Sequence, residues 1–251
     1  MLKVVVIGSG NVAQHLIKAF QSSAEAELVQ AYARHPEKLS HLLPADKITK
    51  SYNDLAEADV YIISVSDDAI ESVSSQLPFN DRLVVHTSGS VPLNKLDNQN
   101  RRGVFYPLQT FSKNKEVDFA QIPVCLESEH KTDFRILEEL SQSISPLTYS
   151  ISSQQRQALH VAAVFVNNFT NHMYAQGSII CEENNISFDI LKPLIQETAD
   201  KIKALSPAEA QTGPAKRNDK TTIQRHLDFI KNSNQKDIYT LLTQSIQKTN
   251  G

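Results

Sequence analysis

Lys3-Val4-Val5-Val6-Ile7-Gly8-Ser9-Gly10-Asn11-Val12-Ala13 is the stretch from which the fold is read. Val4 to Ile7 form an unbroken apolar run without alternation, as a parallel strand covered on both faces requires. The turn Gly8-Ser9-Gly10-Asn11-Val12-Ala13 follows at once and opens a helical pattern over residues 11–21. It fits the G-x-G-x-x-A form of the dinucleotide fingerprint. Gly8 permits the tight turn, Gly10 lets backbone approach a pyrophosphate, and Ala13 is small enough to pack a helix on a strand. The helix N-terminus then offers free N–H groups and a partial positive charge to phosphates. The chain has only 7 glycines, and two of them fall in this turn. A tight turn without ligand is the plain alternative; the strand, turn and helix together favour a bound dinucleotide. Gly8, Ser9, Gly10, Asn11 and Val12 are therefore candidate cofactor contacts.

Outward from this turn, strand-like segments at residues 28–33, 58–65, 82–86, 103–106, 123–126 and 147–151 alternate with helical ones. The helical segments are 36–43, 68–76 (with Asp67 or Asp68 as N-cap) and 132–143. This alternation predicts βαβ units and a mostly parallel sheet. The expected fold class is α/β, an N-terminal Rossmann domain over residues 1–151 followed by an all-α domain over 152–251. The second half begins with residues 153–185, a proline-free stretch crowded with apolar side chains around most of the helix circumference. Such a helix belongs in a core or between subunits, and a homodimer joined through the helical half is expected. Further helices are predicted at 188–205, 220–231 and 237–248.

The second strand ends in Ala33-Arg34-His35. Domains that prefer NAD usually carry an acid here for the ribose hydroxyls. A guanidinium instead binds a 2′-phosphate in bidentate fashion, so Arg34, with His35 and Lys38 nearby, points to NADP. A solvated surface arginine is the alternative. Val65-Ser66 and His86-Thr87-Ser88 follow two further strands, at the carboxyl ends where open α/β sheets bind ligands. Val65, Ser66 and Ser88 are cofactor candidates. His86 either faces a substrate or is a strand-end residue satisfied by backbone.

On the long helix, His160, Asn167 and Asn171 fall within roughly 20° of one line at about 100° per residue, and Asn168 about 80° around. Buried polar groups need partners. A helix–helix hydrogen-bond network is one account; the functional one makes His160 a proton donor or substrate ligand and Asn168 a positioning group. The loop 213–219 carries Lys216 and Arg217, either over the cleft or plainly solvated.

The bulk properties exclude several classes. The 251 residues carry a net charge of -3 and no long basic run, which disfavours nucleic acid. Two cysteines without a CxxC spacing give no disulfide framework and no metal site. The apolar runs are too short for a leader or a membrane span, so a cytoplasmic protein is expected.

Four segments resemble a known family: His86-Thr87-Ser88-Gly89-Ser90; Gly103-Val104-Phe105-Tyr106-Pro107-Leu108-Gln109-Thr110-Phe111; His160 through Asn168-Phe169; and Gly213-Pro214-Ala215-Lys216-Arg217-Asn218-Asp219. With the glycine turn they are similar to Rossmann-like NADP oxidoreductases carrying a C-terminal domain termed DUF2520, sometimes described as F420-dependent. The family sits in the superfamily of pyrroline-5-carboxylate reductase and 6-phosphogluconate dehydrogenase. The resemblance implies a helical dimerisation domain and an active site in an interdomain cleft. The related β-hydroxyacid dehydrogenases place a lysine four residues before an asparagine on the long helix. If Asn168 is that asparagine, the position holds Val164, which transfers no proton. Imine reduction does not need that lysine. The function expected is NADP(H)-dependent oxidoreduction of a small carbonyl, imine or hydroxy substrate. The alternative is a non-catalytic NADP-binding regulatory or scaffold protein.

Overall fold

The structure, a computed structural model, describes residues 1–113 and 115–250. Its contacts divide the chain into two compact units, Met1–Asn167 and Asn168–Gly251.

The first unit is built on one sheet of eight strands: β1 (Leu2–Ile7), β2 (Ala26–Tyr32), β3 (Ile48–Thr49), β4 (Val60–Ile63), β5 (Leu83–His86), β6 (Arg101–Pro107), β7 (Val124–Ser128) and β8 (Thr148–Ser150). Their order is β3-β2-β1-β4-β5-β6-β7-β8. All neighbours are parallel except β6 and β7, which pair antiparallel with Phe105 opposite Leu126. Chain order reverses between β1 and β4, the switch point at which such sheets open a crevice.

Successive residues of the central strands enter opposite cores, because side chains alternate across a sheet. Val4, Val6, Ile62 and Val85 pack with Leu16, Ile17 and Phe20 of α1 (Asn11–Gln21) on one face. Val5, Ile7, Ile63 and Val84 pack with Ile70 and Val73 of α2 (Ile70–Ser74) on the other. The helix α3 (Lys131–Gln142) adds Leu137 and Leu140 to the first face. The unbroken apolar runs are thus explained by cover on both sides.

Several elements are shorter than the sequence predicts. Residues 36–43 give only one 3₁₀ turn, Pro36–Lys38, although Leu39 and Leu43 are buried. The stretch before α2 is a 3₁₀ turn, Asp67–Ala69, and neither aspartate caps the helix through its side chain. The two-residue edge strand β3 carries no pattern from which it could be foreseen.

After the sheet comes α4 (Ser153–Ala163), opened by a capping box in which Ser152 and Gln155 satisfy each other's backbone N–H. By its contacts α4 belongs to the first unit. Its anchor is Arg156, wholly buried, which pairs with Glu127 of β7. Arg156 also donates from Nε to the Ser88 carbonyl at 3.1 Å, and from its guanidinium to the Val91 carbonyl. The helix then widens into a π-helix, Val164–Phe169, before α5 (Thr170–Glu183). That extra residue breaks the 100° progression, so the single polar line expected through His160, Asn167 and Asn171 does not carry across it.

The second unit is helical: α5, then α6 (Lys192–Ala204), α7 (Pro207–Ala210), α8 (Lys220–Phe229) and α9 (Ser233–Asn250). Among the described residues no helix is long and apolar enough to cross a membrane.

Removing one partner of a buried ion pair strands the other charge. Glu127→Ala is expected to destabilise the fold by about 3–5 kcal/mol, read by guanidinium unfolding. A loss below about 1 kcal/mol, the range of an exposed pair, would contradict this role for Arg156.

Candidate active site

A cleft of about 790 Å³ opens along the carboxyl ends of β1, β2, β4, β5 and β6. Gly8, Ser9, Gly10, Asn11, Val12, Arg34, Val65, Ser66 and Ser88, all expected from sequence, line it, and so does His160. A hollow of about 520 Å³ beside the end of α1 holds none of the fingerprint turn.

The turn is built as a phosphate site requires. Gly8 has a φ of +144°, and a Cβ there would stand 2.0 Å from the Ser64 carbonyl oxygen. Only glycine lets the ends of β1 and β4 approach so closely. A Cβ at Gly10 would meet nothing within 4 Å and would project into open space. No side chain caps α1, so its first backbone N–H groups stay available to an anion. Asn11 instead sends its side-chain amide to the Phe111 carbonyl at 3.0 Å.

Arg34 stands exposed in this cleft, with Lys38 also in the lining and no ion-pair partner for Arg34 among the described residues. Beside it, Tyr52 stacks on Tyr32 at 4.2 Å between ring centroids. Burial holds the Tyr52 phenol above its ordinary range. His35, by contrast, turns to Glu37 at 3.2 Å. The cleft thus joins a glycine turn, an uncapped helix end and a free guanidinium. These residues fit a dinucleotide with a 2′-phosphate.

At the other end of the cleft lies a pair that no sequence motif announces. The Tyr106 hydroxyl, at the end of β6, is 3.0 Å from Nδ1 of His160 on α4. The rings meet edge to face, 6.1 Å between centroids. Burial pushes the Tyr106 phenol up to about 12, so it keeps its proton at neutral pH. A tyrosine at the carboxyl end of a parallel strand was the available signal; its partner lies 54 residues on.

His86 is not brought to this pair. His86 is wholly buried, which corrects the expectation that it faces a substrate. Its Nδ1 accepts the Ser88 N–H at 3.1 Å, while Nε2 has no partner at hydrogen-bonding geometry. Burial, with a smaller contribution from Arg156, pushes its pKa down to about 3; the Pro92 carbonyl opposes this in part. Asn168 belongs to the second unit and is exposed. The Ser88 hydroxyl lines the cleft but is committed to the backbone N–H groups of Ser90 and Val91, each at 3.0 Å. Among the described residues no cluster of ligating side chains could hold a metal ion.

Residues 3–89 match a family model described as NADP oxidoreductase, coenzyme F420-dependent. Residues 122–246 match the domain of unknown function DUF2520. The chain is 38% identical to a "putative NADP oxidoreductase" from Bacteroides fragilis, over 98% of both chains, with a TM-score of 0.88. The chain belongs to this NADP oxidoreductase family. Its cofactor is accordingly NADP and its class oxidoreductase. Protein TM1727 from Thermotoga maritima, at 19% identity over 98% of both chains, superposes with a TM-score of 0.74. An imine reductase from Pseudomonas sp., at 12% identity, covers 99% of this chain and 94% of its own with a TM-score of 0.71. At these identities the likeness is one of fold. No curated protein matches the chain.

His86 gives a pH dependence of stability. It is neutral when folded but gains a proton near pH 6.5 when unfolded. The unfolded chain therefore binds more protons between about pH 6.5 and its folded value of about 3. Stability is complete above that window and is lost as the pH falls through it, by at most about 1.4 kcal/mol per unit. His86→Asn keeps an acceptor for the Ser88 N–H and cannot titrate. Its melting temperature should fall less steeply than wild type from pH 6.5 to 4; parallel curves would count against this assignment.

Proposed function

We propose that this oxidoreductase reduces a small imine or carbonyl compound, or oxidises the corresponding amine or alcohol, with Tyr106 and His160 as its proton source. The observation that carries this reading is the Tyr106–His160 hydrogen bond, in the same cleft as the dinucleotide fingerprint. NADPH, when bound, supplies a hydride. Gly8, Ser9, Gly10, Asn11 and Val12 hold its pyrophosphate, Arg34 and Lys38 its 2′-phosphate, and Val65, Ser66 and the Ser88 backbone flank the rest.

Reduction of C=N or C=O adds a hydride at carbon and needs a proton at nitrogen or oxygen. The Tyr106 oxygen accepts from Nδ1–H of the His160 imidazolium and fixes the ring. Nε2–H then gives its proton to the substrate, and the ring is left neutral with Nδ1–H still on Tyr106. Solvent restores the cation. The protonated phenol is suited to this, because a tyrosinate would hold the imidazolium proton rather than release it. The fold shared with an imine reductase favours C=N among the candidates.

The test is NADPH oxidation by the purified protein against cyclic imines, aldehydes and ketones. With an active substrate, His160→Ala should lower kcat by about 10²–10⁴-fold and leave KM for NADPH nearly unchanged. Undiminished turnover in His160→Ala would overturn the assignment. Binding of NADPH without turnover of any substrate class would favour a regulatory or scaffold protein.

We further propose that residues 1–151 form the nucleotide-binding domain, with α4 packed on it, and that the helical part of 152–251 beyond α4 serves dimerisation. In the second unit Ile190, Leu194, Phe229 and Leu241 are each more than half exposed, an apolar surface of the kind a second copy covers. The buried, unpaired cysteines Cys125 and Cys181 suit a reducing, cytoplasmic setting. Light scattering at micromolar concentration should give twice the chain mass at low and high salt; a monomer under both conditions would remove the dimer.

A further inference from the structure

Gly89 follows β5 in the turn Thr87-Ser88-Gly89-Ser90 and is buried. It does not have a positive φ, so its backbone conformation does not call for glycine. Space does. A Cβ at Gly89 would stand 2.5 Å from Nδ1 of His160, 2.9 Å from its Cγ, and 2.8 Å from Cζ of Tyr106. Each distance is shorter than any ordinary carbon contact. The two rings that meet at the hydrogen bond therefore rest on the bare backbone of this glycine.

The turn cannot retreat. The Ser88 N–H is held by His86, the Ser88 hydroxyl caps Ser90 and Val91, and the Ser88 and Val91 carbonyls accept from Arg156. The Ser90 carbonyl accepts from Gln157 at 3.0 Å. The rings, by contrast, swing on single bonds. Any side chain at position 89 must displace His160, Tyr106 or both.

We propose that Gly89 is a positioning residue, the seat that sets the distance and angle between Tyr106 and His160. It acts on the reaction only through that pair, so its catalytic consequence rests on the proton-source reading above, while the seating itself does not. Gly89→Ala drives a wedge into the hydrogen bond without adding or removing charge.

The experiment compares wild type with Gly89→Ala, Tyr106→Phe, His160→Ala and the double variant Gly89→Ala/His160→Ala. In histidine-¹⁵N-labelled protein, the ring nitrogen signals absent from His160→Ala belong to His160. Gly89→Ala should shift its Nδ1 signal in the same direction as Tyr106→Phe. It should lower kcat by about a hundredfold, the cost of a misplacement near 1 Å, with NADPH affinity by calorimetry retained. Adding Gly89→Ala to His160→Ala should cost little further activity and little further melting temperature, because the imidazole is gone and the Tyr106 ring, 2.8 Å from the new Cβ, can swing into the space it leaves. An unshifted Nδ1 signal in Gly89→Ala overturns the proposal, as do losses that simply multiply in the double variant. If Gly89→Ala does not fold, the double variant decides: folding like His160→Ala supports the seat, and failure to fold overturns it. A shifted signal with unchanged kcat keeps the seat and removes the proton role of the pair.

Discussion

An arginine cannot shed its charge inside a protein, and Arg156 is wholly inside this one. Much of the first unit is arranged around that fact. Glu127 supplies the counter-charge, the Ser88 and Val91 carbonyls accept hydrogen bonds from the guanidinium, and Ser153 joins both members of the pair. Burying two charges gains little net stability, since desolvation offsets their attraction. What it does fix is geometry. Three segments far apart in sequence, the turn after β5, strand β7 and the start of α4, have one mutual placement that satisfies the guanidinium. His160 lies one turn beyond Arg156 on the same helix face, so the anchor that seats α4 also delivers the imidazole to Tyr106.

The neighbouring His86 shows the same constraint from the other side. It sits beside Arg156 without a counter-charge of its own, and it survives there as an acceptor only because it is neutral. Burial, reinforced by the neighbouring cation, keeps the ring neutral, and the Ser88 N–H then selects its tautomer. With Nδ1 accepting from Ser88, the remaining proton must lie on Nε2.

Local physics made half of this molecule legible in its sequence. β1, the glycine turn and α1 are contiguous, and each is dictated by a short pattern: an apolar run, two glycines and an alanine, then a helical repeat. Arg34 was legible because its distance along the chain from the glycines has a known meaning. Tyr106 and His160 were not legible as a pair, since nothing in either neighbourhood states that the end of β6 meets α4. Arg156 was silent for a similar reason: Ser-Gln-Gln-Arg reads as an exposed first turn, and only Glu127, 29 residues earlier, makes its burial tolerable. His86 looked catalytic by type and strand position; burial decided otherwise. The fold class follows from local patterns, whereas the site depends on pairings between distant segments.

The π-helix at Val164–Phe169 bears on how this chain is to be aligned with its kin. A π turn is what remains when a helix absorbs one inserted residue without breaking. Any relative whose helix is regular here will be out of phase by one position downstream of the insertion. Matching by ordinal spacing, such as counting back from Asn168 to Val164, then compares residues that occupy different azimuths on the helix. Homology across this segment is better traced by superposed backbone than by column, and inherited roles assigned by counting need to be reassigned one residue at a time.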